Sequence, residues 1–305
     1  MVWNQKVSLN SRLCKDGGKS MQTFNQYITG TIDWISVTFS LATVFGISNS
    51  MGLDNVVAAL KIWFNLKGNP TIGKGKYSYE YSAIFDDGAI IYWGGTAQMG
   101  IHVQLHGKYL QNVKGMLDLL RKIVNVGGKI TRIDIALDTT EVSCADDVYH
   151  AYERGELKTR ATNVMRIQSL SGTTVYVGSR YSDRYLRIYD KGKQLKTGTI
   201  WTRIELEVKG LKANLYARVV VSEGFDAIPL LIRSFVDVPS VGWYYRATRV
   251  TNVQSGIPKV SRMRSTQEWL ESVAIPCLVR EMQSDEIFKM RALKMLACVL
   301  DNVEY

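Results

Sequence analysis

Two periodicities divide the chain between them. Over Ile32 to Phe39, the hydroxyls of Ser36, Thr38 and then Ser40 alternate with Val37 and Phe39. A period of two marks a strand with one buried face. Tyr77, Tyr79 and Tyr81 alternate in the same way and read as one strand. Asp87-Gly88 signals a hairpin turn before a strand at Ala89–Trp93. Further strands are predicted at Gly100–His106, Ile130–Leu137, Thr173–Gly178, Tyr185–Tyr189 and Thr202–Val208. The helical period appears after Asp54, a candidate cap, where Val57, Leu60 and Phe64 share a face up to about Leu66. It returns over Gln111–Val126, whose apolar stripe is Val113, Met116, Leu117, Leu120 and Val124, with Gly127-Gly128 as the stop. Asp146 and Asp147 suit the start of a short helix ending near Gly155. Leu211–Val221 and Asp285–Leu300 read as helices, and Ser265 with Glu268 resembles a capping box opening a helix through Trp269 and Leu270.

Strands dominate to about residue 210 and helices follow. The long gaps between helices argue against a regular βαβ series. The expected fold class is therefore α+β, a largely antiparallel sheet flanked by helices, with a mainly helical C-terminal region. Residues 1–28 are polar and without period, which suggests a mobile arm. The expected division is 1–28, 29–212 and 213–305.

Trp34 to Leu53 holds no charged residue, but the strand alternation and the Ser-Asn-Ser that follows argue against a spanning helix. No apolar core of a signal peptide appears near the start. The 305 residues are enough for a sizeable core. None of the four cysteines, Cys14, Cys144, Cys277 and Cys298, lies within metal-ligand spacing of another, so a cysteine zinc site and a disulfide scaffold are both disfavoured and a reducing compartment is expected. The net charge of +10 favours a polyanionic partner, nucleic acid before membrane.

Three strand faces could carry chemistry. In the segment 132–138, Arg132, Asp134 and Asp138 share one face, and Ile133, Ile135 and Leu137 the other. In 203–208, Arg203, Glu205 and Glu207 oppose Ile204, Leu206 and Val208. Side by side, the two acidic faces could surround a hard cation such as Mg²⁺ or Mn²⁺. Alternatively the first is a half-exposed strand whose acids pair with Arg132 and water, and the second a solvated edge whose charges prevent aggregation. His102, Gln104 and His106 share a third face, read as a candidate site wall rather than a tight metal site. The run from Tyr176 to Lys193 interleaves Arg180, Arg184, Arg187 and Lys191 with tyrosines, which suits single-stranded nucleic acid. A tyrosine beside such cations could be a nucleophile, its pKa lowered by them. No phosphate-loop, nucleophile-elbow or His-Glu-x-x-His motif is present.

In order and spacing, the strand at Ile32–Phe39, His102–Gly107, the segment Arg-Ile-Asp-Ile-Ala-Leu-Asp at 132–138, the run Val175–Lys191 and Arg203–Gly210 resemble the replication initiation factor family. These are rolling-circle initiators of small plasmids, filamentous phages and some integrative elements, related to the HUH endonucleases. The resemblance covers about residues 31–210. It implies site-specific nicking and rejoining of origin DNA, with a tyrosine linked to the 5′ end and a 3′-OH primer released. Carried onto this sequence, Tyr189 is the nucleophile, with Tyr176, Tyr181 and Tyr185 as rivals. Lys191 and Arg187 would stabilise phosphate charge. Asp134, Asp138, Glu205 and Glu207 are the metal candidates for Mg²⁺ or Mn²⁺, and His102 and Gln104 line the site. Arg180, Arg184 and Arg203 are the DNA-contact candidates. Gln194 departs from the acidic residue that the family carries after the Tyr-Asp-Lys run, which puts an acid–base role there in doubt. The implied partners are origin DNA, single-stranded or cruciform, a separate helicase and a second copy in a homodimer, with no membrane, in the cytoplasm of a bacterial host. A conjugative relaxase of the same family and a non-catalytic DNA-binding regulator are the competing readings. The C-terminal region could bind DNA or mediate the dimer, and Arg246, Arg249, Lys259, Arg262 and Arg264 make 245–265 basic.

Overall fold

The computed structural model describes residues 21–25, 28–48, 55–96, 98–141, 144–170, 172–249 and 275–300. Two compact units divide at Pro258 and Lys259. The first is built on a sheet whose strands are β1 (Met21–Asn25), β2 (Ile28–Phe39), β3 (Thr71–Lys74), β4 (Tyr81–Ile84), β5 (Ala89–Trp93), β6 (Ile101–His106), β7 (Lys129–Thr139), β9 (Val164–Ser169), β10 (Gly172–Gly178), β11 (Arg184–Asp190) and β12 (Thr202–Lys209). They run in the order β3-β4-β5-β6-β2-β7-β12-β11-β10-β9, with β1 added to β2. Every pairing among them is antiparallel. The two-residue strands β8 (Lys158–Thr159) and β13 (Val236–Asp237) pair separately.

The α+β class and the antiparallel sheet follow the sequence reading. Antiparallel sheets tolerate one apolar and one polar face, and this sheet uses both. Ile35, Val37, Val103, Leu105, Ile133, Ile135, Leu137, Leu206, Ile188 and Val175 point to one side, in register from strand to strand. There they join one core with the buried residues of the helices α2 (Val56–Phe64), α4 (Met116–Asn125), α5 (Ala145–Glu153), α7 (Gly210–Glu223), α8 (Ala227–Arg233) and α9 (Gly242–Ala247). The helices α7, α8 and α9 belong to the same compact unit as the sheet. Helices α1 (Leu41–Ser48), α3 (Lys108–Asn112) and α6 (Lys191–Gln194) are short connectors. The second unit contains α10 (Ile275–Ser284) and α11 (Glu286–Leu300), which contact each other. Asp285 caps α11, its Oδ1 accepting the amides of Ile287 at 2.8 Å and Phe288 at 3.0 Å. Among the described residues no helix is long and apolar enough to cross a membrane.

Several elements differ from the sequence reading. The helix expected over Gln111–Val126 is two helices: Val113 turns extended after α3, and Gly115, with a left-handed φ of 75°, precedes α4. Tyr77, Tyr79 and Tyr81 do not share a strand. Tyr81 opens β4, whereas Tyr77 lies in the preceding turn with φ at 56°. The polar segment 1–28 contains β1, and the rest of it up to residue 20 lies outside the described residues. So do Asp54 and the helix expected after Ser265.

The central strand β2 carries a bulge at Asp33. Ile32 faces Ile135 of β7 and the very next pair is Trp34 with Asp134. Before the bulge the core residues are Ile28 and Ile32, and after it Ile35, Val37 and Phe39. The extra residue shifts the phase of the alternation by one and keeps both halves facing the core. Deleting Asp33 should turn Ile28 and Ile32 to the polar face, at a cost of about 2 kcal/mol for each isoleucine. Urea denaturation should register about 4 kcal/mol lost on deletion, whereas Asp33→Ala, which keeps the residue count, should lose about 1 kcal/mol or less.

Candidate active site

The polar face of β7, β12 and β11 carries the acidic and basic residues picked out from the sequence. Cross-strand register sets Asp138 beside Arg203 and Asp134 beside Glu207. It then sets Arg203 beside Tyr189 and Glu205 beside Arg187. Two clusters result. In the first, the Arg203 guanidinium donates from Nε and Nη2 to the two oxygens of Asp138, both at 2.7 Å, and from Nη1 to Asp33 at 2.9 Å. In the second, Arg132 donates from Nε and Nη2 to both oxygens of Asp134, at 2.8 and 2.6 Å. Its Nη2 also lies 2.9 Å from Glu207, and Lys209 approaches the other oxygen of Glu207 at 2.6 Å. Arg187 links the second cluster to Glu205, 2.5 Å from Glu205 and 3.6 Å from Asp134.

Tyr189 sits between them, half-buried. Its hydroxyl donates to Glu205 Oε2 at 2.9 Å, and Lys191 Nζ approaches the same hydroxyl at 3.5 Å. The sequence reading expected neighbouring cations to lower this tyrosine's pKa. Instead burial, and then the negative charge of Glu205, push it up. The hydroxyl is therefore protonated at rest, with a carboxylate already placed to accept its proton. Lys191 moves the other way, lowered by burial and by the Arg203 charge. Burial disfavours the Arg203 charge too, but the Asp138 hydrogen bonds and charge outweigh it and raise that pKa. Of the rival tyrosines, Tyr176 and Tyr185 stack on each other at 5.6 Å. Tyr181 stands 101% exposed in the turn before β11. Among these four, only Tyr189 places its hydroxyl on a carboxylate.

Asp134, Asp138, Glu205 and Glu207 do share one face, but they do not fit a joint cation site. Each is engaged by an arginine or lysine of its own or an adjacent strand, and among the described residues no three His, Cys, Asp or Glu side chains converge as metal ligands. The one buried polar atom left without a partner in the clusters is Arg187 Nε, a donor that calls for an anion. Burial pushes Asp134 up to about 6, with Arg132 acting against it and Glu205 and Glu207 with it. His102 and Gln104 lie on the same sheet face, on β6. The Gln104 amide lies 3.3 Å from His102 Nε2, and Thr38 Oγ1 lies 3.1 Å from Nδ1. Both ring nitrogens are thereby occupied.

The DNA-contact candidates separate. Arg180 is exposed, its guanidinium 5.8 Å from the Tyr185 ring. Arg184 belongs to the opposite side, because its strand position pairs with core residue Val208, and its guanidinium packs over Phe235 at 4.5 Å. Arg203 is buried in its ion pairs and is not a surface contact. Two participants carried no role in the sequence reading, Asp33 on Arg203 and Trp34. The Trp34 ring stacks on His106 at 4.3 Å and receives the Arg132 guanidinium at 4.4 Å. Their signal was the phase slip between Ile32 and Ile35, which requires a bulge between them. Arg246, read as part of a basic stretch, pairs with Glu141. Lys259, Arg262 and Arg264 lie outside the described residues.

Residues 128–240 match the family model described as replication initiation factor. The matched stretch runs from β7 through β13 and holds Arg132, Asp134, Asp138, Tyr189 and Glu205. No curated protein matches the chain. Among solved structures, a rolling circle replication initiator protein from Geobacillus stearothermophilus superposes with a TM-score of 0.58 at 21% identity, covering 69% of this chain and 86% of that one. The likeness shows a shared fold.

Removing one partner of a buried ion pair strands the other's charge, at about 3–5 kcal/mol. Asp138→Asn should therefore lower unfolding free energy by about 3 kcal/mol in urea titration, and an Asp138→Leu/Arg203→Met double variant should recover part of the loss. His102 gives a pH signature. Burial depresses its pKa from 6.5 to about 4, so the folded state resists its protonation and the unfolded state does not. Its contribution is complete above pH 6.5 and is lost as pH falls towards 4, about 3 kcal/mol in all. A His102→Gln variant should show a correspondingly flatter loss of stability between pH 6.5 and 4.

Proposed function

We propose that this protein is a rolling-circle replication initiator that nicks and rejoins origin DNA through Tyr189. The observation that carries the reading is the Tyr189 hydroxyl hydrogen-bonded to Glu205, with Lys191 on the same oxygen. In the forward step Tyr189 Oη attacks the scissile phosphorus and its proton passes to Glu205. A bond from Oη to phosphorus forms and the bond to O3′ breaks. The 5′ side of the strand becomes a phosphotyrosine. The departing O3′ takes a proton from Lys191, whose lowered pKa suits donation. The Arg187 guanidinium, paired with Glu205, supplies positive charge beside the phosphate. Rejoining runs the same path backwards, with Lys191 accepting the 3′-OH proton and Glu205 returning one to the tyrosine. The bond energy is kept in the phosphotyrosine, so no nucleotide hydrolysis is needed. Strand separation then falls to a separate helicase.

The arginine-held carboxylates also suit a non-catalytic DNA-binding protein, and one assay separates the two. The protein is mixed with single-stranded fragments tiling its own replicon, with and without Mn²⁺ or Mg²⁺, and resolved on a denaturing gel. A covalent protein–DNA band that disappears in Tyr189→Phe is the expected result. Glu205→Gln should slow its formation by about 10²- to 10⁴-fold, the usual contribution of a general base. A band that persists in Tyr189→Phe would move the nucleophile elsewhere. Binding without any band, in either metal, would leave the non-catalytic reading standing.

A further inference from the structure

The polar sheet face carries a second group of side chains that the ion pairs do not use. Lys76 to Tyr79 forms the turn between β3 and β4, the Tyr79 amide donating to the Lys76 carbonyl at 3.0 Å. Both central residues are left-handed, Tyr77 at φ 56° and Ser78 at φ 66°. Two consecutive positive φ values define the mirror-image hairpin turn, which Asn-Gly fills with least strain. Here a bulky tyrosine holds the first strained position. Its ring is 65% exposed, with its edge against Tyr92 at 5.8 Å and His102 at 6.1 Å. Below it Tyr79 stacks on His102 at 6.2 Å and is fixed by a hydrogen bond from its hydroxyl to the Met99 carbonyl at 3.0 Å. Tyr92 pairs with His102 across β5 and β6.

Strained residues that persist in a fold cluster where a ligand is held. The ligand chemistry follows from the surface. This terrace is a set of aromatic rings, which suits the π-face of a base. It shares its sheet face with Trp34, Arg132 and Tyr189, in strand order β5-β6-β2-β7-β12-β11. Five strand spacings separate it from the nucleophile's strand, about 24 Å, so one extended single strand can touch both.

We propose that Tyr77 is a base-stacking residue, which receives an unpaired base of the strand cut at Tyr189 and fixes which nucleotide reaches that tyrosine. The inference rests on the nicking reading for its substrate. The test uses the full chain in a Tyr189→Phe background, with fluorescently labelled single-stranded fragments of the replicon and anisotropy as the readout. Tyr77→Asn relieves the turn, so its melting temperature should equal or exceed that of its parent. Its affinity should nevertheless fall about tenfold, the loss of one base–ring stack, and Tyr77→Phe should restore it. An abasic nucleotide at one position should weaken the parent by a similar factor and leave Tyr77→Asn unaffected. Affinity within twofold for Tyr77→Asn, additivity with the abasic site at every position, or no binding of single strands by the parent would each overturn the proposal. Failure of the nicking reading shows separately, as the lack of any covalent band from the unsubstituted protein with either metal, and leaves the stacking measurement intact.

Discussion

The pairing of Arg203 with Asp138 across β12 and β7 is the constraint around which the polar face is arranged. Both side chains are buried, and burial of an unpaired ion costs several kcal/mol. The guanidinium is therefore fixed by two hydrogen bonds to one carboxylate, and its remaining edge by Asp33. With Arg203 fixed, the space beside Tyr189 has a rigid positive wall. Arg132 and Asp134 repeat the same bidentate geometry further along β7, and Arg187 joins Asp134 to Glu205. The result is a sheet face whose charges are held in place before any ligand arrives.

That arrangement changes how the tyrosine can work. Cations beside Tyr189 are compensated by carboxylates, so they do not make it acidic. Burial and Glu205 keep its proton on. In the proposed reaction the proton would leave for Glu205 as Tyr189 attacks, which couples deprotonation to attack and protects the hydroxyl at rest. The carboxylate that the sequence reading assigned to a metal instead accepts the Tyr189 hydrogen bond, and in the proposed reaction it is the base. A cation entering this face would have to displace arginines that the acids already bind.

Much of the fold was legible because the alternation is strict where the strands are long. Arg132 to Asp138 and Arg203 to Val208 sort by side chain into two faces, and cross-strand register then stacks like faces together. The breaks were harder to read. Tyr77, Tyr79 and Tyr81 keep a period of two through a turn, since a turn can imitate alternation while its backbone reverses. Gly115 interrupts a run whose apolar spacing continues past it. The change of phase between Ile28 and Ile32 on one side and Ile35 and Val37 on the other signals the bulge at Asp33, which the reading of one regular strand passed over.

The sequence by itself determined the sheet, its two faces and the set of charged and aromatic residues on the polar one, because side-chain period is a local property of the chain. Tertiary structure decided the partners. Whether Glu205 faces a metal, an arginine or a tyrosine depends on which strands are neighbours and in what register. Asp33 meets Arg203 across 170 positions of sequence, and only the order β2-β7-β12-β11 brings Asp138, Arg203 and Tyr189 side by side. Electrostatics acts over a few ångströms of space, so the chemistry of these residues was fixed only when the strands were paired.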